Sequence, residues 1–221
     1  MEPLDKQAIL ELYVSIMSEI KARLQVLSLW SQPSANLPRS PDKVADFPET
    51  VLAESCYLQI RRITELAALA ILAAHNEDPQ YRTKELTKKW GADDLLGALS
   101  KIEDSAMPEP IFTDLWADER PEHIVSKGIR DVPGLLGKIY REAGDKLHSG
   151  HLRFIASQRD KHYSFDFIRT SIASIVELFD RHILILPSGH MLTATLHWGR
   201  INRTDARWIS AEWPDGLPQR A

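Results

Sequence analysis

The chain holds a single cysteine, Cys56, among 221 residues. No intrachain disulfide can form, and no cysteine-based zinc site can be assembled. A reducing, cytoplasmic setting is expected. Long apolar runs are missing too. The longest, residues 66–74, has nine residues, whereas a membrane-spanning helix needs about 20. The opening Met1-Glu2-Pro3-Leu4-Asp5 lacks the basic start and apolar core of a secretory signal, so none is expected. There is no positive surplus: 27 Lys+Arg face 31 Asp+Glu, a net charge of -4. That balance disfavours a protein that coats DNA, and it leaves room for a local basic groove. No glycine-rich phosphate loop, GxGxxG, HExxH, GxSxG or EF-hand loop occurs. The eight histidines show no ligand spacing: His148 and His151 are three apart, and His190 and His197 lie seven apart on a predicted strand. No metal and no cofactor are expected.

What remains is an ordinary globular composition, 43% apolar and 26% charged, with strong helical periodicity. Ile9, Tyr13, Ile16, Ile20, Leu24 and Leu27 repeat at threes and fours, one stripe of a long helix over residues 4–30. Residues 31–48 carry four prolines and no period, and read as a connector. A second long helix is predicted over 49–76, its second half apolar nearly all round and so buried on several sides. A third helical zone, 83–104, breaks at Gly91. Residues 105–134, with four more prolines, read as loop with one short helix at 122–129. A fourth helix begins just past Pro133, since proline suits a first turn, and frays after His148. A fifth, 164–181, repeats Phe165, Ile168, Ile172, Ile175 and Phe179.

After His182 the period changes to two. Residues 183–186 read as a strand, and Pro187-Ser188-Gly189 as a turn. Residues 191–198 set Leu192, Ala194, Leu196 and Trp198 against Thr193, Thr195 and His197, and 207–213 make a third strand. Trp198, Trp208 and Trp213 cluster here, either as a mini-core sealing the meander onto the helices or as a stacking platform. The expected fold is therefore mostly α, a bundle of four to five helices (1–181) followed by a small C-terminal antiparallel β-meander (182–221).

One arrangement carries chemical logic. In Tyr140-Arg141-Glu142-Ala143-Gly144-Asp145-Lys146-Leu147-His148, the arginine and histidine are seven apart. On a helix they fall within about 20° of one another, about 10 Å apart along the axis. An imidazole can take the proton from a 2′-hydroxyl or protonate a leaving 5′-oxygen. A guanidinium fork can hold the phosphate and the charge that builds on it. From residue 137 to 162, six basic residues outnumber three acidic ones, so a positive groove or a solvated helix face would both fit. His148 can equally be a hydrogen-bonded interior histidine. Arg141 can be the salt-bridge partner of Asp145, and Arg62 and Glu65 can pair structurally or support the site.

Through Arg141-x6-His148 on a late helix, and Leu58-Gln59-Ile60-Arg61-Arg62-Ile63-Thr64-Glu65-Leu66 on an earlier one, residues 5–180 resemble the HEPN superfamily. The resemblance implies a helical bundle that homodimerises and a metal-independent endoribonuclease of toxin or anti-phage type. It also implies RNA as substrate, 2′,3′-cyclic phosphate products and a cognate antitoxin or regulatory protein as partner. It assigns Arg141 and His148 as catalytic, with Tyr140, Glu142, Lys146, Arg62 and Glu65 as supporting residues. Glu142 stands where active members often have Asn, Asp or His. Relatives with a Tyr…His pattern, which Tyr140 and His148 also fit, suggest an alternative: a non-catalytic interaction module that binds a partner protein or nucleotide.

Overall fold

Helix α1 (Lys6–Trp30) begins where Asp5 caps it, the carboxylate accepting a hydrogen bond from the Ala8 amide at 2.7 Å. The computed structural model describes residues 3–31, 47–89, 91–103, 106–112, 124–129, 131–147, 163–198 and 204–210. Along α1 the fully buried seam is Ile9, Tyr13, Met17, Ile20, Leu24 and Leu27. Met17 replaces the expected Ile16, which is half-buried. Alternating steps of four and three from Tyr13 keep a seam on one line, and residue 17 continues that line where residue 16 falls to its side.

Helix α2 (Phe47–Ala74) packs along α1. Its alanine-rich second half buries Leu66, Ala67, Ala68, Ala70 and Ile71, as the all-round apolar pattern predicts, yet Leu69 stays exposed. A 3₁₀ turn (Pro79–Arg82) capped by Asp78 leads to α3 (Lys84–Thr87), a single turn. Helix α4 (Ala92–Ile102) starts at Gly91, the break seen in the sequence, and carries Asp93 and Asp94 in its first turn, where the helix dipole favours negative charge. Helix α5 (Val132–Leu147) has Pro133 in its first turn, with Asp131 accepting from the Gly134 amide at 2.8 Å. Helix α6 (Phe165–Phe179) is capped by Ser164, whose hydroxyl accepts from the Phe167 amide at 3.1 Å.

The sheet has four antiparallel strands in the order β1 (Glu109–Pro110), β2 (Arg181–Ile185), β3 (His190–Thr195), β4 (Asp205–Ser210). The β2–β3 turn is the expected one, with Gly189 at φ +79°, a conformation that glycine adopts without strain. The predicted helix at 122–129 is not formed over its described part, 124–129. That segment lies antiparallel to 110–112 instead: the Phe112 amide donates to the Val125 carbonyl and the Lys127 amide to the Pro110 carbonyl, both at 2.8 Å. Val125 and the positive φ of Gly128 suit an extended strand and a bend better than a helix. The third strand ends its described course at Ser210, so Trp213 lies outside the described residues.

The sheet shares the helices' core. Leu184, Leu192, Ala194 and Leu196 join the same apolar cluster as α1, α2 and α6, with Trp198 and Trp208 packed against it. The core thus crosses the 181/182 boundary. On the other face Ile183 and Met191 meet Ile111. Thr193 and Thr195 are buried as well, so the alternation along β3 separates two covered faces. Among the described residues no helix is long and apolar enough to cross a membrane.

Candidate functional site

The candidate site is the seam where α5 meets the middle of α2 and the first turn of α4. Gly137 makes one contact possible. A Cβ there would stand 2.6 Å from Asp93 Oδ1 and 3.3 Å from Arg141 Nη1, so its absence leaves room for the two side chains to meet. They form an ion pair at 2.5 Å, with 57% of the arginine side chain and 39% of the aspartate exposed. Arg141 therefore pairs across to α4, not with Asp145 on its own helix. Asp93 is a tertiary neighbour, invisible to an i, i+4 rule.

Beside this pair runs a second chain of contacts. Arg61 of α2 donates from Nη2 to the Tyr140 hydroxyl at 3.0 Å, and its guanidinium carbon lies 4.9 Å from the Tyr140 ring centre. Glu65 accepts from Arg61 Nε and from Arg62 Nη1, each at 3.3 Å. Arg61 lies over Gly144 of α5, its Nη1 3.6 Å from where a Cβ would be, an ordinary packing distance. The tyrosine hydroxyl lies a similar 3.5 Å from the Cβ position of Gly91, at the start of α4. Thus Tyr140, Arg141 and Glu65 are brought to one seam, where Arg61 and Asp93 join them, while Arg62 is tied to it only through Glu65.

Glu142 is half-buried, and its charge adds to burial in raising the Tyr57 phenol's pKa. Lys146, one turn on, is half-buried. His148 lies outside the described residues, as does Ser149.

The described histidines with the most buried rings serve the core. His182 is fully buried between Tyr13 and Phe179. A carbonyl can only accept, so Nδ1, 3.0 Å from the Phe179 oxygen, carries the proton. Nε2 then accepts from the Tyr13 hydroxyl at 2.5 Å. Burial pushes the imidazole pKa down to about 4 and the phenol pKa up. His75 is buried too, stacked on Tyr81 at 4.5 Å with Nε2 2.9 Å from the Ala106 oxygen, and burial lowers its pKa. By contrast His197, partly buried, contacts Asp205 at 2.9 Å. Cys56 is buried and its thiol pKa is pushed up to about 11, so it is a core residue.

Sequence reasoning missed Asp93, Arg61 and the Tyr13–His182 pair. The first had a signal, two acids opening a predicted helix. The pair had a weaker one: a histidine inside an apolar run and a tyrosine in an apolar stripe each need a polar partner once buried.

The seam can bind an anion. Arg141 keeps guanidinium donors open to solvent, and an exposed pair such as Arg141–Asp93 contributes only about 0–1 kcal/mol, so a phosphate can displace the carboxylate. Among the described residues no three His, Cys, Asp or Glu side chains group to hold a metal ion. Compared with family models, curated proteins and solved structures, the chain matches none.

Proposed function

We propose that the protein is a metal-independent endoribonuclease of the HEPN-like kind, acting as a homodimer. The observation that supports this reading best is Arg141. It projects from the late helix into solvent, reaches a weak partner on another helix, and has Arg61 and Tyr140 beside it. In the proposed reaction the RNA phosphate displaces Asp93 from the Arg141 fork. His148 takes the proton from the 2′-hydroxyl as that oxygen attacks phosphorus. The P–O5′ bond breaks, the 5′-oxygen takes up the proton that His148 removed from the 2′-hydroxyl, and a 2′,3′-cyclic phosphate remains.

One observation favours a second reading, the non-catalytic interaction module. Arg61, Arg62 and Arg141 all have carboxylate or phenol partners within the chain, which is how a structural seam is built. Purified protein incubated with tRNA and total RNA in EDTA separates the two. The ribonuclease reading expects cleavage that is lost in His148→Ala and in Arg141→Ala. Intact RNA with folded, dimeric wild type contradicts it and leaves the binding module.

A further inference from the structure

Along helix α2 runs a stripe whose two leucines the chain's own fold leaves uncovered, and whose Arg62 and Glu65 also pair with each other within the chain. Leu58, Arg62, Glu65 and Leu69 follow one another at steps of four, three and four, which is the spacing of a helix–helix seam. The two leucines are 54% and 42% exposed, and the Arg62 side chain 47%. Most large apolar side chains of α2 are buried, so two exposed leucines in register on a long helix are unusual for a surface that faces only water.

The order of residues in the stripe says what fits it. Apolar, basic, acidic, apolar is complementary to itself when reversed. A two-fold axis passing between Ile63 and Thr64 sets Leu58 opposite the partner's Leu69 and Arg62 opposite the partner's Glu65, and each contact then occurs twice. A parallel pairing in register would instead set Arg62 against the partner's Arg62 and Glu65 against the partner's Glu65. We infer that this face of α2 is an antiparallel contact with a second copy of the chain, closed by two leucine pairs and two crossed Arg62–Glu65 pairs.

The contact is short. Leu58 to Leu69 covers about 17 Å of helix, less than a large permanent interface needs, so association depends on concentration. Glu65 belongs to both structures at once: it holds Arg61, the partner of Tyr140, and faces the partner's Arg62. Each copy's α2–α5 seam therefore lies at the edge of the interface. The ribonuclease reading requires two copies but not this face, and this face requires no RNA chemistry.

Sedimentation equilibrium of the full chain tests the inference. Wild type should show a monomer–dimer equilibrium. Arg62→Glu and Glu65→Arg, each alone, set like charges opposite one another and should weaken dimerisation by at least about tenfold. An equimolar mixture of the two should restore it, because the acid introduced at position 62 of one copy meets the base introduced at 65 of the other. Pairing within a chain cannot produce that rescue. Mixed Leu58→Cys and Leu69→Cys proteins give a check free of charge effects. Oxidation should link them to each other, while each alone stays unlinked, since like positions lie about 17 Å apart along the axis. A monomeric wild type, a mixture no more dimeric than its parts, or no cross-link in the cysteine mixture overturns the inference. A dimer that follows these rules but leaves RNA intact would stand, and only the ribonuclease reading would fall.

Discussion

Two regions of this molecule each set a tyrosine hydroxyl against a nitrogen-bearing side chain, one at the surface and one in the core. At the α2–α5 seam Arg141, Tyr140, Arg61 and Asp93 meet with water close by. Under the sheet Tyr13 and His182 meet with none, each fully buried. Burial decides the chemistry. An imidazole whose pKa is pushed down to about 4 is neutral and enclosed, so it fixes a tautomer and a packing arrangement. An arginine at the surface with a replaceable partner can accept a ligand. A histidine count alone therefore says little about catalysis, since His182 and His75 carry polar groups and work as core.

The sharpest way to break this contrast is to remove the buried imidazole. His182→Ala leaves a cavity and strands the Tyr13 hydroxyl and the Phe179 carbonyl, and should cost about 3 kcal/mol or more. Urea denaturation at neutral pH reads it. A loss below 1 kcal/mol would mean that the pair is not structural.

Acid tests the same site without mutation. Folded His182 stays neutral to about pH 4, whereas unfolded it takes a proton near pH 6.5. Between those values acid stabilises only the unfolded chain. Stability from this group is thus fully present above pH 6.5 and falls as the pH drops toward 4. The loss should reach about 2 kcal/mol at pH 5, and His75 adds in the same direction. Denaturation curves at pH 7 and pH 5 measure it, and His182→Gln should flatten most of the difference. Tyr13→Phe removes the hydroxyl that donates to Nε2 and leaves a buried acceptor unpaired, a cost of about 1–2 kcal/mol visible in thermal melts.

At the seam the expected stability effects are smaller. Asp93→Asn should change stability by less than about 1 kcal/mol; on the proposed ribonuclease reading it should also release Arg141 and lower the KM for RNA by about two- to fivefold. Gly137→Ala should act alike. Its new Cβ collides with the Asp93 carboxylate, which must turn away, while alanine's better helix propensity offsets the loss by up to about 1 kcal/mol. If both variants raise KM, Asp93 is helping Arg141 and not competing with it.

Most of the helical frame was legible because it is local. The α1 stripe, the break at Gly91, the Pro133 start and the start at Ser164 are all set by residues within a turn of one another. The β2–β3 hairpin was legible for the same reason, through Pro187-Ser188-Gly189. Strand β1 was not: two residues, one of them proline, show no period, and they become a strand only because β2 lies alongside. Of the candidate site, Arg141, Tyr140, Arg62 and Glu65 could be named from helical position and from resemblance. Their partners could not. Asp93 is 48 residues from Arg141 and Arg61 is 79 from Tyr140, contacts that only the packing of α5 between α2 and α4 creates. Tyr13 and His182, 169 residues apart, are the extreme case.

The central proposal is that Arg141 is a phosphate ligand held in reserve by Asp93. The most direct measurement is the initial rate of RNA cleavage in EDTA across substrate concentrations, for wild type, Asp93→Asn and Arg141→Ala. The account predicts a lower KM in the first variant and loss of cleavage in the second. Equal rates in all three, or cleavage in none, would contradict it.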